Sequence, residues 1–311
     1  MGITQRNKFY AKLTQKLKSI RKPANNYMEN VAYYIRMAMA EDIGNGDHTS
    51  LATIPADAQR RARLLAKESG VLAGVEVAKM VCHEVDPALG VVVLMQDGAT
   101  IKYGDVVLTV EGNAQSILKA ERLLLNCVQR MSGIATYTRQ LVGLLDGLPT
   151  KLLDTRKTTP NFRIFEKMAV KIGGAVNHRF ALYDMILIKD NHVDYAGGIE
   201  AALQKAHDYL QTTGLDLKIE IEVRNLSELD RVLDWCSDQA YERIERIMLD
   251  NFGLDDLRTA VARVAGRFPT EASGGIREDT LRAVAETGVT YISCGALTHQ
   301  IKSLDLSLKA F

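Results

Sequence analysis

The sequence lacks the features that would commit a chain to a membrane, a zinc ion or a nucleic acid. No run approaches the ~20 consecutive apolar residues that span a bilayer. The 311 residues include four cysteines, Cys82, Cys127, Cys236 and Cys294, none in C-x-x-C spacing. Neither a zinc site nor a disulfide framework is indicated, and reduced, buried thiols of a cytoplasmic protein are expected. With 39 basic against 38 acidic residues, no overall field steers the chain towards nucleic acid or lipid, so neither is an expected partner. An anionic ligand would have to be held by a local cluster. No internal repeat or low-complexity segment is visible.

Only the first 26 residues depart from neutrality, with Arg6, Lys8, Lys12, Lys16, Lys18, Arg21 and Lys22 and no acid before Glu29. They have no apolar core of a secretory signal. Arg6 stands where a myristoylation signal needs Ser or Thr. A basic amphipathic helix, packed on the body or on a partner subunit, is expected over 1–26, with a disordered tail or an organellar presequence as alternatives.

The remainder has two textures. Apolar residues recur at helical spacing through Val31, Ile35 and Ala38, and "EDIGNGDHTS" then breaks the helix. Between about 60 and 112, short β-type runs such as "DVVLTVEG" are separated by Gly-containing turns. A long helical pattern over 114–147 follows. The domains read as a basic extension at 1–26, a small α/β sandwich at 27–130 to which a C-terminal helix returns, and a β/α barrel domain at 131–311.

In that last part, strand-like runs occur at 151–154, 184–189, 217–222, 246–250, 270–274 and 289–295, with helical patterns between them. Such alternation predicts a parallel sheet and an α/β fold, an incomplete β/α barrel. A doubly wound open sheet is the alternative, since six strands fall short of eight.

Polar residues collect at one end of these strands. Asp154 with Arg156 and Lys157, then Lys189, Glu222, Asp250, Ser273 and Gly295 all lie at or just beyond C-terminal strand ends, the rim where β/α barrels build their sites. Taken singly, Asp154 reads as a turn former, Asp250 as a helix cap and Glu222 as one half of an ion pair. Glu220 and Glu222 point to one face of their strand, so at least one is expected to be buried with a partner.

The glycines are more specific. "SGGI" at 273–276 and "SCGAL" at 293–297 follow successive strands, and paired Gly loops after the last strands of a barrel form a phosphate site. Arg122, Arg156 and Arg179 can each hold a carboxylate or phosphate bidentately, and Lys157 and Lys189 act as point charges. These cations exceed the needs of one phosphate monoester. Glu222 and Asp250 among them call for Mg2+ or sugar hydroxyls. The residues therefore suggest an enzyme joining or cleaving a phosphorylated sugar and a second anion.

"AERLLLNCVQRMSGIAT", "DTRKTTP", "NHR", "LIKDNH", "IEIEV", "LDNF", "SGGI" and "CGAL", in that order, resemble the quinolinate phosphoribosyltransferases. The resemblance implies transfer of 5-phosphoribose from phosphoribosyl pyrophosphate to quinolinate with loss of CO2, giving nicotinate mononucleotide for NAD biosynthesis. The alternative is a same-fold enzyme with another anionic heterocyclic acceptor. It further implies that Arg156, His178, Arg179 and Lys189 grip quinolinate, with Arg122 supplied by the neighbour in a homodimer. Lys157, Glu222 and Asp250 take the catalytic positions, the two acids serving Mg2+ directly or indirectly, and no organic cofactor is needed. Ser273, Gly274, Gly275, Cys294, Gly295 and Ala296 form the 5′-phosphate cradle. The sequence departs from the usual family pattern at Asn161 and Phe162, where Gly and Leu are commoner, at Ala175 and Ala181, where Gly is commoner, and in a longer Glu222–Asp250 spacing.

Overall fold

Backbone hydrogen bonding and the burial of alternate side chains account for the architecture. The computed structural model describes residues 27–239 and 243–311; the helix expected over 1–26 lies outside the described residues. Helix α1 (Tyr27–Ile43) leads to α2 (His48–Thr53), capped by Asp47, whose carboxylate accepts the Ser50 N–H. Strands β1 (Gln59–Ala66), β2 (Gly70–Val71), β3 (Gly90–Val93), β4 (Thr100–Ile101) and β5 (Val106–Asn113) follow, with α3 (Val75–Val85) between β2 and β3. In β1, Ala62, Leu64 and Ala66 are buried at every second position, the pattern of a sheet covered on one face.

Asn113 caps α4 (Ala114–Gly143) by accepting the Ser116 N–H at 3.1 Å. This one unbroken helix packs on the small sheet and on the barrel, so residue 130 lies mid-helix. Gly133 lets the chain at 302 approach: a Cβ there would stand 2.2 Å from the Lys302 carbonyl oxygen.

From β6 (Lys151–Leu153) the chain alternates: α5 (Arg163–Gly173), β7 (Ile186–Ile188), α6 (Asp190–Ala196), α7 (Ile199–Thr213), β8 (Ile219–Val223), α8 (Leu226–Gln239), β9 (Ile244–Asp250), α9 (Leu254–Val264), β10 (Thr270–Ser273), α10 (Glu278–Ala285), β11 (Tyr291–Ser293) and α11 (Ala296–His299). All six strands pair in parallel in the order β6-β11-β10-β9-β8-β7. β6 and β7 remain the two edges, and a parallel bridge from Leu153 to Val176 fills part of the opening between them. The fold is thus an incomplete β/α barrel with a smaller α/β domain.

The C-terminal helix expected to return to the small domain is instead a strand, β12 (Leu306–Ala310), antiparallel to β1. Its residues bury with period two, Leu306 and Leu308 inward and Lys309 exposed, and it covers the β1 edge of the sheet order β12-β1-β5-β3. No helix among the described residues is long and apolar enough to cross a membrane.

Candidate active site

The pleat of the parallel strands places the site. Cross-strand neighbours Glu222 and Met248, Glu271 and Met248, and Ser273 and Asp250 share the inner face. Each strand therefore presents a rim residue and, two positions earlier, a deeper one. All five residues of β8 are buried, with Ile219, Ile221 and Val223 facing the helices and Glu220 and Glu222 facing inward.

Two connected cavities open on the rim. The smaller, about 210 Å³, is lined by Arg156, His178, Arg179 and Lys189 and walled by Leu187 and Met248. The larger, about 1030 Å³, is lined by Asp250 and by Ser273, Gly274, Gly275, Cys294, Gly295 and Ala296. Lys157, Lys189, Thr155, Ser273 and Ser293 border both. The expected acceptor cations and the expected phosphate cradle thus fall into adjoining compartments.

Arg179, in the small cavity, is held under electrostatic tension. Burial, and then the nearby Arg156 charge, lower the pKa of Arg179; an entering anion would relieve both effects. Arg179 is tied back by donation from Nη1 to the Met185 carbonyl at 3.0 Å. Lys189 Nζ donates to Glu222 Oε2 at 3.0 Å. His178 is the exception: Nδ1 accepts the Arg179 N–H at 2.7 Å, and Nε2 lies 2.9 Å from Glu220 Oε2 and 3.6 Å from Glu271 Oε2. Both ring nitrogens face protein groups, so this ring forms a wall of the cavity and leaves the guanidinium and ammonium groups as its donors.

In the large cavity, Gly274 has φ +94, and a Cβ there would stand 2.2 Å from Asn251 Oδ1. Only glycine allows the backbone to lie so close to the β9–α9 loop. Asp250 has its pKa raised, first by burial and second by the charge of Glu222. It accepts one hydrogen bond from Asn251 Nδ2 at 2.6 Å.

Two expected residues stand apart. Arg122 is exposed on α4 and lines neither cavity. Glu222, 5% exposed, also lines neither and reaches the rim through Lys189.

Below the rim lies a deeper polar layer, in which Glu220, expected to be buried with a partner, is joined by Arg246, Glu271 and Tyr291, none of which stands in a motif. Arg246 Nη1 donates to Glu271 Oε2 at 3.0 Å, and its guanidinium stacks 4.7 Å from the Tyr291 ring centroid. Burial raises both Glu220 and Glu271 to about 7 and lowers His178. Neither Glu220 oxygen accepts a well-directed hydrogen bond, nor does Glu271 Oε1. Two facing acids with one Arg cannot both ionise comfortably, and a shared proton balances the set. His178, Glu220 and Glu271 are also close enough to bind a metal, but Arg246 already supplies the neutralising cation. The signal was present in the sequence: stepping two residues back from Glu222, Ser273 and Ser293 finds Glu220, Glu271 and Tyr291.

Comparison with known proteins bears on the family and the fold. Residues 47–132 match the model of the quinolinate phosphoribosyl transferase N-terminal domain, and residues 134–309 that of its C-terminal domain. A Nicotiana tabacum protein named quinolinate phosphoribosyltransferase [decarboxylating] 2b, mitochondrial, is 44% identical over 298 residues, 93% of this chain and 84% of the relative. A probable nicotinate-nucleotide pyrophosphorylase [carboxylating] of Bacillus subtilis is 41% identical over 86% of this chain and 89% of its own length. The solved nicotinate-nucleotide pyrophosphorylase of Francisella tularensis superposes with a TM-score of 0.82 at 37% identity, covering 93% of this chain and 98% of that one.

Proposed function

Because the chain belongs to the quinolinate phosphoribosyl transferase family, we propose that it transfers the 5-phosphoribosyl group of phosphoribosyl pyrophosphate to quinolinate with decarboxylation. The products are nicotinate mononucleotide, pyrophosphate and CO2, a step of NAD biosynthesis. The observation that carries this reading is the pairing of a small cavity lined by Arg156, Arg179 and Lys189 with a larger, glycine-lined one. A flat dicarboxylate fits between Leu187 and Met248 with its charges on the cations. The 5′-phosphate lies against the loops of Ser273–Gly275 and Cys294–Ala296, and Lys157, at the shared border, takes the pyrophosphate.

In this arrangement the pyridine nitrogen attacks the anomeric carbon as the bond from that carbon to the pyrophosphate oxygen breaks and intact pyrophosphate leaves with the electron pair. Carboxylates near the ribosyl ring favour the positive character that develops there. The carbon–carboxylate bond then breaks; its electron pair stays on carbon beside the cationic nitrogen, a proton from water replaces CO2, and no organic cofactor takes part.

Mg2+ belongs to the same proposal. The oxygen donors of Asp250, and the repulsion from Glu222 that raises its pKa, fit a hard divalent ion. Asp250 would hold it directly and Glu222, paired with Lys189, indirectly. When bound, such an ion draws charge onto a leaving pyrophosphate.

A homodimer in which Arg122 completes the neighbouring acceptor cavity is also proposed, supported by the exposure of Arg122, which lines neither cavity of its own chain. Mixing Arg122→Ala with Glu222→Ala chains should restore part of the activity that each variant lacks; no recovery in verified mixed dimers would reject the shared site. A cytoplasmic location rests on four free, buried cysteines. The tobacco relative's name places that protein in mitochondria, so fractionation of cells carrying the full chain decides between the compartments.

The central experiment supplies phosphoribosyl pyrophosphate and Mg2+ with quinolinate or with nicotinate and follows mononucleotide and CO2 together. One CO2 per mononucleotide, from quinolinate alone, is expected. Product from nicotinate instead, or from neither acid, would overturn the acceptor assignment.

A further inference from the structure

Helix α5 buries two consecutive charges, Glu166 at 0% and Lys167 at 2% exposure, although neither lines the active-site cavities. Neighbours on a helix point about 100° apart, and these two reach different loops. Lys167 Nζ donates to Asp154 Oδ1 and to the His178 carbonyl, the latter at 3.0 Å. Asp154 also accepts the His178 N–H at 2.8 Å and the Asn177 amide at 2.8 Å. One ion pair thereby fixes the segment that carries Arg179.

Glu166 serves the other side. Its Oε2 accepts the Thr159 N–H at 3.1 Å, and its Oε1 accepts the Thr159 hydroxyl at 2.9 Å and Arg130 Nη2 at 3.0 Å. Arg130, from α4, donates onward to the carbonyls of Thr298 and Ile301 at 2.5 and 2.9 Å. Thr298 Oγ1 closes the circuit by donating to the Lys157 carbonyl at 2.8 Å. This branch ties the Lys157 loop to α11, which follows the Gly295 loop.

Buried ion pairs are poor sources of net stability, since desolvation offsets their attraction and apolar replacements often do as well. Two such pairs side by side, Lys167 with Asp154 fully buried and Glu166 with a partly exposed Arg130, each ending on a loop with a cation that borders the cavities, call for another explanation. We propose that Glu166 and Lys167 are positioning residues with separate duties. Lys167, through Asp154, sets the acceptor clamp; Glu166, through Arg130, Thr159 and Thr298, sets Lys157 and the phosphate loops. The assignment rests on the function proposed above.

The test is steady-state kinetics with each substrate varied in turn, alongside thermal melting. The paired replacement Asp154→Asn with Lys167→Met leaves no unpaired buried charge. It should raise KM for quinolinate about tenfold or more, with KM for phosphoribosyl pyrophosphate within about twofold, tenfold being ~1.4 kcal/mol. Glu166→Gln should do the reverse. If the paired replacement does not fold, Lys167→Arg, which keeps the charge but alters its reach, must show the same quinolinate-selective change. Equal effects on both KM values, or a lower melting temperature with unchanged KM values, would overturn the division of duties. Absence of turnover by the unaltered enzyme would instead count against the proposed function.

Discussion

The Lys189 ammonium and the Glu222 carboxylate stand 3.0 Å apart, the acid buried and the ammonium half exposed to the cavity. Lys189 can therefore meet an incoming anion only while Glu222 holds it from below. Replacing Glu222 with Gln removes that charged anchor and a negative charge near the proposed ribosyl site. Turnover should fall about 100-fold or more, the scale of losing one preorganised electrostatic group. Comparing kcat of the two proteins at saturating substrates checks this.

Gly274→Ala should impair the phosphate loop selectively. The added methyl meets Asn251 at 2.2 Å on a backbone with φ +94, so either the loop or Asn251 must move. A loss of about tenfold or more in kcat/KM for phosphoribosyl pyrophosphate is expected, with quinolinate binding to the free enzyme, measured by calorimetry, little changed.

Arg179→Lys keeps the charge but loses the planar fork. A loss of ~1.5–3 kcal/mol, typical of a hydrogen bond to a charged group, corresponds to a rise of roughly 10- to 150-fold in KM for quinolinate. An unchanged KM would remove Arg179 from the clamp.

Glu271 makes the pH dependence of stability predictable in sign. Burial lifts its pKa from 4.5 to about 7, with the charge of Glu220 the next cause. Between those values the folded chain keeps a proton that the unfolded chain has released. Its contribution to stability is thus complete below about 4.5 and is lost as pH rises through about 7. Relative to Glu271→Gln, the unaltered protein should lose melting temperature across that window; a constant difference would mean that Glu271 does not titrate there.

Much of this was legible because strand ends are marked twice, by an apolar run and by the polar residue that stops it. All six barrel strands, and the rim positions of Lys189, Asp250 and Ser273, follow from that signal. What stayed hidden depends on the third dimension. Arg246 and Glu271 read as ordinary strand polar residues until the register sets Glu220 beside Arg246. Glu166 and Lys167 look like solvated helix charges, and only the packing of α5 against α4 and the loops of Thr159 and His178 buries them. The β12 strand differs from the expected helix because its five residues carry a period too short to stand out. Asn161 shows the reverse case: at a position where glycine is commoner, its φ of +61 is one that Asn tolerates unusually well, so the departure preserves the turn.

The pairing of β12 with β1 places a timing constraint on biogenesis. A ribosome adding about 5–20 residues per second exposes β1 early and completes β12 only after every barrel strand has been made. During that interval one edge of the small sheet stays open, a template for any other strand. Fragments ending before Leu306 should accordingly aggregate, and chaperone demand during synthesis should concentrate on the first domain.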